Sequence, residues 1–121
     1  MGESRDIKLE TRLVFRAQKL RGLSKDWRFR RLKNKGKPGR TACLSLKWLP
    51  AKAGLHVGIV VSKKVGKAVV RNRVRRRVRE ALRRMDLPPL EAVVIANPEA
   101  ANARYGDIVR ALYRAMKKAG L

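Results

Sequence analysis

Cysteine and histidine are almost missing: Cys43 and His56 each occur once in 121 residues. A single thiol closes no disulfide within the chain, which fits a reducing cytoplasm. One thiol and one imidazole, well separated in the chain, make neither a zinc site nor a nucleophile–base pair. Cys43 therefore reads as a small strand residue. Acids are scarce too. The nine Asp and Glu are scattered, and no pair stands out for general acid–base work. No run is long and apolar enough to span a bilayer. The opening residues, MGESRDIKLE, lack the apolar core of a signal peptide, and Asp6 stands where a myristoylation motif needs Ser or Thr. Gly54, Gly58 and Gly66 are spaced neither as a phosphate loop nor as a dinucleotide fingerprint. Little here points to a polypeptide that is itself a catalyst.

Positive charge is abundant. Lys and Arg number 32, the net charge is +23 and the pI is near 11.7. Such a charge repels itself in a compact monomer and attracts nucleic acid. The hydrophobic fraction of 45% still allows one packed domain. The excess is densest in residues 62–80, SKKVGKAVVRNRVRRRVRE. Val70, Val74, Val78 and Leu82, with Ala81 and Met85, recur there at helical spacing. At about 100° per residue they fall on one narrow face. Asn72, Arg76, Arg79 and Arg83 fall opposite, and Arg71 and Arg77 flank the stripe. The segment is a packed helix that fixes its guanidinium groups, each able to pair two phosphate oxygens.

Along the chain, residues 1–19 read as an arm and residues 20–121 as one domain. Leu13-Val14-Phe15 is a short apolar patch that could dock on that domain. Ser24 is a fair N-cap for a helix from about Lys25 to Asn34, with Phe29 and Leu32 on one face and Trp27 to the side. Lys35 to Gly39 is a turn by composition. Residues 42–49 alternate: Leu44, Leu46 and Trp48 point one way, Cys43, Ser45 and Lys47 the other. A β-branched strand follows over 55–63. The basic helix runs from about Ala68 to Met85 and stops before Pro88-Pro89. Residues 92–96 form a buried strand. Tyr105, Ile108, Val109, Leu112 and Met116 mark a last amphipathic helix that ends at Gly120. The pattern is that of a single α+β domain.

The passage Leu55–Leu82 resembles the protein subunit of bacterial ribonuclease P. The carriers are Ser62-Lys63-Lys64 at a strand end, a turn with Gly66, and Arg71-Asn72-Arg73 opening the helix. Arg75, Arg76, Arg79 and Glu80 continue the match. The resemblance extends over about residues 20–119 and implies an α-β-β-β-α-β-α two-layer sandwich. It also implies a left-handed βαβ crossover, as in split βαβ ribosomal-protein folds, where the general rule gives the opposite hand.

The resemblance further implies a cytoplasmic ribonucleoprotein endonuclease that removes the 5′ leader of precursor transfer RNA. In such an enzyme the RNA subunit carries the phosphodiester hydrolysis, with Mg2+ held mainly by that RNA and the substrate. The expected partners are the catalytic RNA and the precursor, with no membrane and no obligate protein partner. Arg71, Asn72, Arg73, Arg75, Arg76 and Arg79 match the positions that face the RNA subunit. Asn72 could cap the helix, bond RNA or order a hydrated metal. Phe29, Lys33, Ser45, Lys47, Val60, Ser62 and Lys64 are the expected leader cleft. Lys33 and Lys47 stand where the family often has aromatics, so this cleft trades stacking for phosphate contact. A basic ribosomal protein is the rival reading, and a protein-only nuclease would need clustered carboxylates.

Overall fold

The computed structural model describes residues 20–23 and 26–121. The arm expected over residues 1–19, with its Leu13-Val14-Phe15 patch, and the Ser24 cap lie outside them. The elements are β1 (Leu20–Arg21), α1 (Asp26–Lys35), β2 (Lys37–Arg40), β3 (Leu44–Pro50), β4 (Leu55–Val61), α2 (Ala68–Arg84), β5 (Leu90–Ala96) and α3 (Tyr105–Lys118). Short 3-10 turns at Lys63–Val65 and Pro98–Asn102 precede α2 and α3.

The strands form one mixed sheet in the order β1-β4-β5-β3-β2. β4 and β5 run parallel, and α2 supplies the long crossover that a parallel pair needs. β3 is antiparallel to β5, and β2 to β3. The α+β sandwich expected from the sequence is present, and the two-residue β1 is added to it, paired parallel with β4. Two residues are too few to carry a periodic signal.

Alternation along the strands sorts the sheet into two faces. Leu44, Leu46 and Trp48 of β3, Leu55, Val57 and Val61 of β4, and Leu90, Ala92, Val94 and Ala96 of β5 are buried on one face. They meet Val74, Val78 and Leu82 of α2 and Ile108, Leu112 and Met116 of α3. Each buried Val, Leu, Ile or Met among them contributes roughly 1.5–3 kcal/mol on leaving water. The other face carries α1 alone among the helices. The end of α3 is well defined. Gly120 takes φ +79°, Leu121 N–H donates to the Met116 carbonyl at 2.8 Å, and Gly120 N–H to that of Lys117 at 3.1 Å.

Two local expectations need correction. Lys35 to Gly39 is not a plain turn, because Lys37–Arg40 is the edge strand β2. Pro38 is tolerated at an edge, where a missing N–H breaks no inner ladder. Gly39 is required by packing, since a Cβ there would overlap the Ala115 carbonyl of α3. Its glycine marks a close approach of a helix rather than a bend. Cys43 is not itself a strand residue. It sits one position ahead of β3, half-buried, with its carbonyl accepting from Asn97 N–H at 2.8 Å.

Candidate nucleic-acid interface

The open face of the sheet is built in rungs. The register aligns Val60 of β4, Ile95 of β5, Ser45 of β3 and Arg40 of β2 as one row. The next row is Gly58, Val93, Lys47 and Pro38. A third holds His56, Glu91 and Leu49. α1 covers the lower rows and leaves the first bare. Val60 and Ile95 are accordingly 41% and 42% exposed, unusual for large apolar side chains in neighbouring strands.

Four features set where α1 lies. Leu32 is fully buried beneath it. The Phe29 ring rests on the backbone of Gly58, where a Cβ would come within 2.9 Å of the ring edge. Arg28 Nη1 lies 3.2 Å from His56 Nδ1. Lys47 Nζ donates to the Lys33 carbonyl at 2.8 Å and so satisfies one of the open acceptors at the helix end. Gly36 then lets the chain leave over Lys47, since a Cβ there would overlap the Leu32 carbonyl.

Between α1 and the bare row runs a groove of about 540 Å³. Its floor is apolar, from Val60, Val93, Ile95 and Pro38. Phe29 forms part of one wall, Arg30, Lys33, Arg40 and Lys47 supply cations, and Ser45 adds a hydroxyl. No acid lines it. A smaller hollow of about 340 Å³ lies on the other side of Phe29, lined by Arg21 of β1, Gly58 of β4, and Arg75 and Arg79 of α2. Phe29 is thus a shared wall between the sheet groove and the basic helix.

On α2 the expected faces are in place. Val74, Val78, Ala81, Leu82 and Met85 are buried, and Val70 packs partly against them. Asn72, Arg76 and Arg79 are exposed, and Arg71, Arg73 and Arg75 are half-buried. The guanidinium groups differ in what holds them. Arg73 donates to the Ala101 carbonyl at 3.3 Å, and Arg77 to that of Ala103 at 2.6 Å. Arg83 and Arg84 pair with Glu80 at 3.5 and 2.7 Å. Arg75 donates to Asn72 Oδ1 at 2.9 Å. Arg76 and Arg79 have no such partner among the described residues. Asn72 does not cap the helix, because Lys67 holds the cap position and Asn72 lies inside α2.

The structure brings Phe29, Lys33, Ser45, Lys47 and Val60 together in the groove. Ser62 and Lys64 are exposed beyond the end of β4, where the 3-10 turn ends the strand alternation, and neither lines it. Arg30, Arg40, Val93 and Ile95 complete the groove, and Arg21 the hollow beside it. Arg30 could have been read from the sequence, one residue after Phe29 in the same helix. Ile95 and Arg40 could not, because their place depends on the register across three strands. Trp27 is 51% exposed and lies under the Arg28 guanidinium at 5.4 Å, away from the groove lining. Among the described residues, no three His, Cys, Asp or Glu side chains gather as metal ligands would, and no helix is long and apolar enough to cross a membrane.

Comparison with known proteins adds the family. The family model described as Ribonuclease P matches residues 17–120. The chain is 56% identical over 103 residues to the ribonuclease P protein component of Thermus scotoductus, covering 85% of this chain and 62% of that one. It is 57% identical over 99 residues to that of Thermus filiformis, covering 82% and 41%. The chain thus spans about three fifths, or less, of the length of these relatives. Among solved structures, the Staphylococcus aureus RNase P protein superposes with a TM-score of 0.72 at 28% identity, covering 84% of this chain and 96% of that one. The Thermotoga maritima RNase P protein gives 0.63 at 25% identity, covering 70% and 84%.

Proposed function

This chain belongs to the ribonuclease P protein family, and on that premise we propose that it binds a catalytic RNA subunit through α2 and the 5′ leader of precursor transfer RNA in the groove beside α1. The rival reading as a ribosomal protein gives way to the family match. The observation that carries the proposal is the bare row of the sheet. An apolar floor beside an aromatic wall and a basic rim suits a single strand, whose bases are unstacked and whose phosphates need cations.

The polypeptide's part in the reaction is placement. Arg30, Lys33 and Arg40 neutralise leader phosphates. Lys47 does less of this than its charge suggests, because its ammonium is held by the end of α1. Arg76 and Arg79, with Arg75 beside Arg79, engage the RNA subunit. Phe29, between the groove and the hollow, sets where the leader passes from one surface to the other. Bond cleavage is assigned to the RNA. Mg2+ goes with it, held mainly by RNA and substrate phosphates.

A cleavage assay on precursor transfer RNA tests this. Protein alone, RNA subunit alone and both together are compared at low and high magnesium. The protein alone should cleave nothing, and with the RNA it should allow cleavage at lower magnesium, because its cations screen RNA–RNA repulsion. Single-turnover cleavage by purified protein that survives stringent ribonuclease controls would refute the division of labour.

A further inference from the structure

Two polar clips tie α1 to the sheet, one near each end of the helix. Arg28 reaches His56 of β4 at 3.2 Å, on the row that lies two removed from the bare one. Lys47 of β3 reaches the Lys33 carbonyl at 2.8 Å, and both residues line the groove. Of the two, the second is the one a strand in the groove would meet.

The surroundings of Lys47 suit it to hold a helix end. In register it stands between Val93 of β5 and Pro38 of β2, and it is half-buried. Gly36 passes over it, so closely that a Cβ on Gly36 would come within 3.0 Å of the Lys47 Cβ. The stem is thus enclosed while the ammonium reaches a polar partner, as long cationic side chains do. The partner is an open one. Gly36 N–H closes the last turn of α1 on the Leu32 carbonyl at 2.8 Å. The Lys33 carbonyl comes next and takes the ammonium. A cation there also faces the negative end of the helix dipole.

That last turn carries the α1 wall of the groove. Lys33 belongs to it, and Phe29 and Arg30 lie one turn before. The bare row stands one row from Lys47, about 7 Å along the strands. The clip therefore holds the wall at a set distance from the floor that the wall faces.

We propose that Lys47 is a positioning residue for the leader: by holding the last turn of α1 to β3 it fixes the width of the groove, and it acts on the substrate through α1 rather than as a phosphate contact. This rests on the reading of the groove as the leader site and names what sets its width.

The test uses the full chain reconstituted with a cognate RNA subunit, and reads affinity for leader-bearing and leaderless transfer RNA. Lys47→Met keeps the stem and removes the donor. It should weaken leader binding several-fold, leave leaderless binding unchanged, and speed amide exchange at Asn34, Lys35 and Gly36 in the free protein. Lys47→Arg supplies a donor of similar reach and should restore leader affinity. Gly36→Ala leaves every charge in place yet crowds the Leu32 carbonyl, so it should imitate Lys47→Met. The two together should lose no more than the worse single variant, because both loosen the same turn. Arg40→Gln, on β2, is the comparison. Its loss should multiply with that of Lys47→Met, and it should lower the magnitude of the salt slope by about 0.7. Losses that multiply between Lys47→Met and Gly36→Ala, with amide exchange unchanged in Lys47→Met, would make Lys47 a direct phosphate contact and overturn the inference. Unchanged leader affinity in Lys47→Met beside a loss in Arg40→Gln would also overturn it, and would leave the leader site standing. Unchanged leader affinity in Lys47→Met, Arg40→Gln and Phe29→Ala alike would overturn the leader site as well.

Discussion

Phe29 has two neighbours of different kinds, the bare backbone of Gly58 below it and the groove beside it. Its truncation should therefore have two separable effects. Phe29→Ala should lower the melting temperature, because it uncovers the sheet. It should also cost about 1–3 kcal/mol in holoenzyme affinity for a substrate with a 5′ leader, as loss of a stacking platform does. Affinity for mature transfer RNA should barely change, and equal losses for both ligands would reduce Phe29 to a packing residue. Cys43 allows a second check. Burial raises its thiol above the ordinary value, and the carboxylates of Asp107 and Glu99 raise it further. Its alkylation by iodoacetamide should be slower at neutral pH than that of a free thiol, with a rate that climbs only at more alkaline pH. The resemblance to the family singles out Phe29 from the sequence, and the structure places it in the groove wall. The role of Lys47 was not legible there. As a residue type it reads as a phosphate contact, yet the fold directs its ammonium to the Lys33 carbonyl.

At the scale of elements, α2 was the most legible part of the chain. Its period separates Val74, Val78 and Leu82 from Arg76 and Arg79, and burial follows that separation. Arg76→Ala or Arg79→Ala should weaken binding to the RNA subunit with little change in melting temperature. Val78→Asp should unfold the domain, because it puts a charge where no partner exists. Equal thermal losses in the two classes would show the faces to be misassigned. β2 was the least legible. Pro38 and Gly39 advertise a turn, and only the neighbours explain them: an edge position for one, α3 pressed against the backbone for the other. What period could not supply for α2 is the sorting of its arginines, since the carbonyls of Ala101 and Ala103 come from a distant turn. α3 offers a pH test. Asp107 Oδ2 accepts from the Arg104 backbone N–H at 3.0 Å, and with the Arg110 side chain this holds its carboxyl below the ordinary value. A carboxyl lowered in the folded state stabilises it fully above the ordinary value of 3.8 and loses that contribution as pH falls through the folded one. Amide exchange in the first turn of α3 should accordingly quicken only in strong acid, and Asp107→Asn should show that fraying already at neutral pH.

Over the whole molecule, the +23 charge opposes compaction. The fold meets this partly from within, by spending Arg73, Arg77, Lys47 and Lys118 on backbone carbonyls. What is left over is grouped: a rim around the sheet groove, the outer row of α2, and the outer row of α3. The overall α+β order was readable from alternation, helical period and the Ser62–Glu80 motif. The groove was readable in part. Phe29, Lys33, Ser45, Lys47 and Val60 lie on elements that the sequence marks, whereas Ile95 and Arg40 enter through strand register. The central claim is that the bare row of the sheet holds a leader. It is tested most directly by the affinity of the RNA subunit for leader-bearing and leaderless transfer RNA, each measured with and without this protein at fixed salt and magnesium. The protein should tighten binding of the leader-bearing substrate while leaving the leaderless one nearly unchanged. Equal tightening of both would mean that the protein acts through charge alone and that the groove holds no leader.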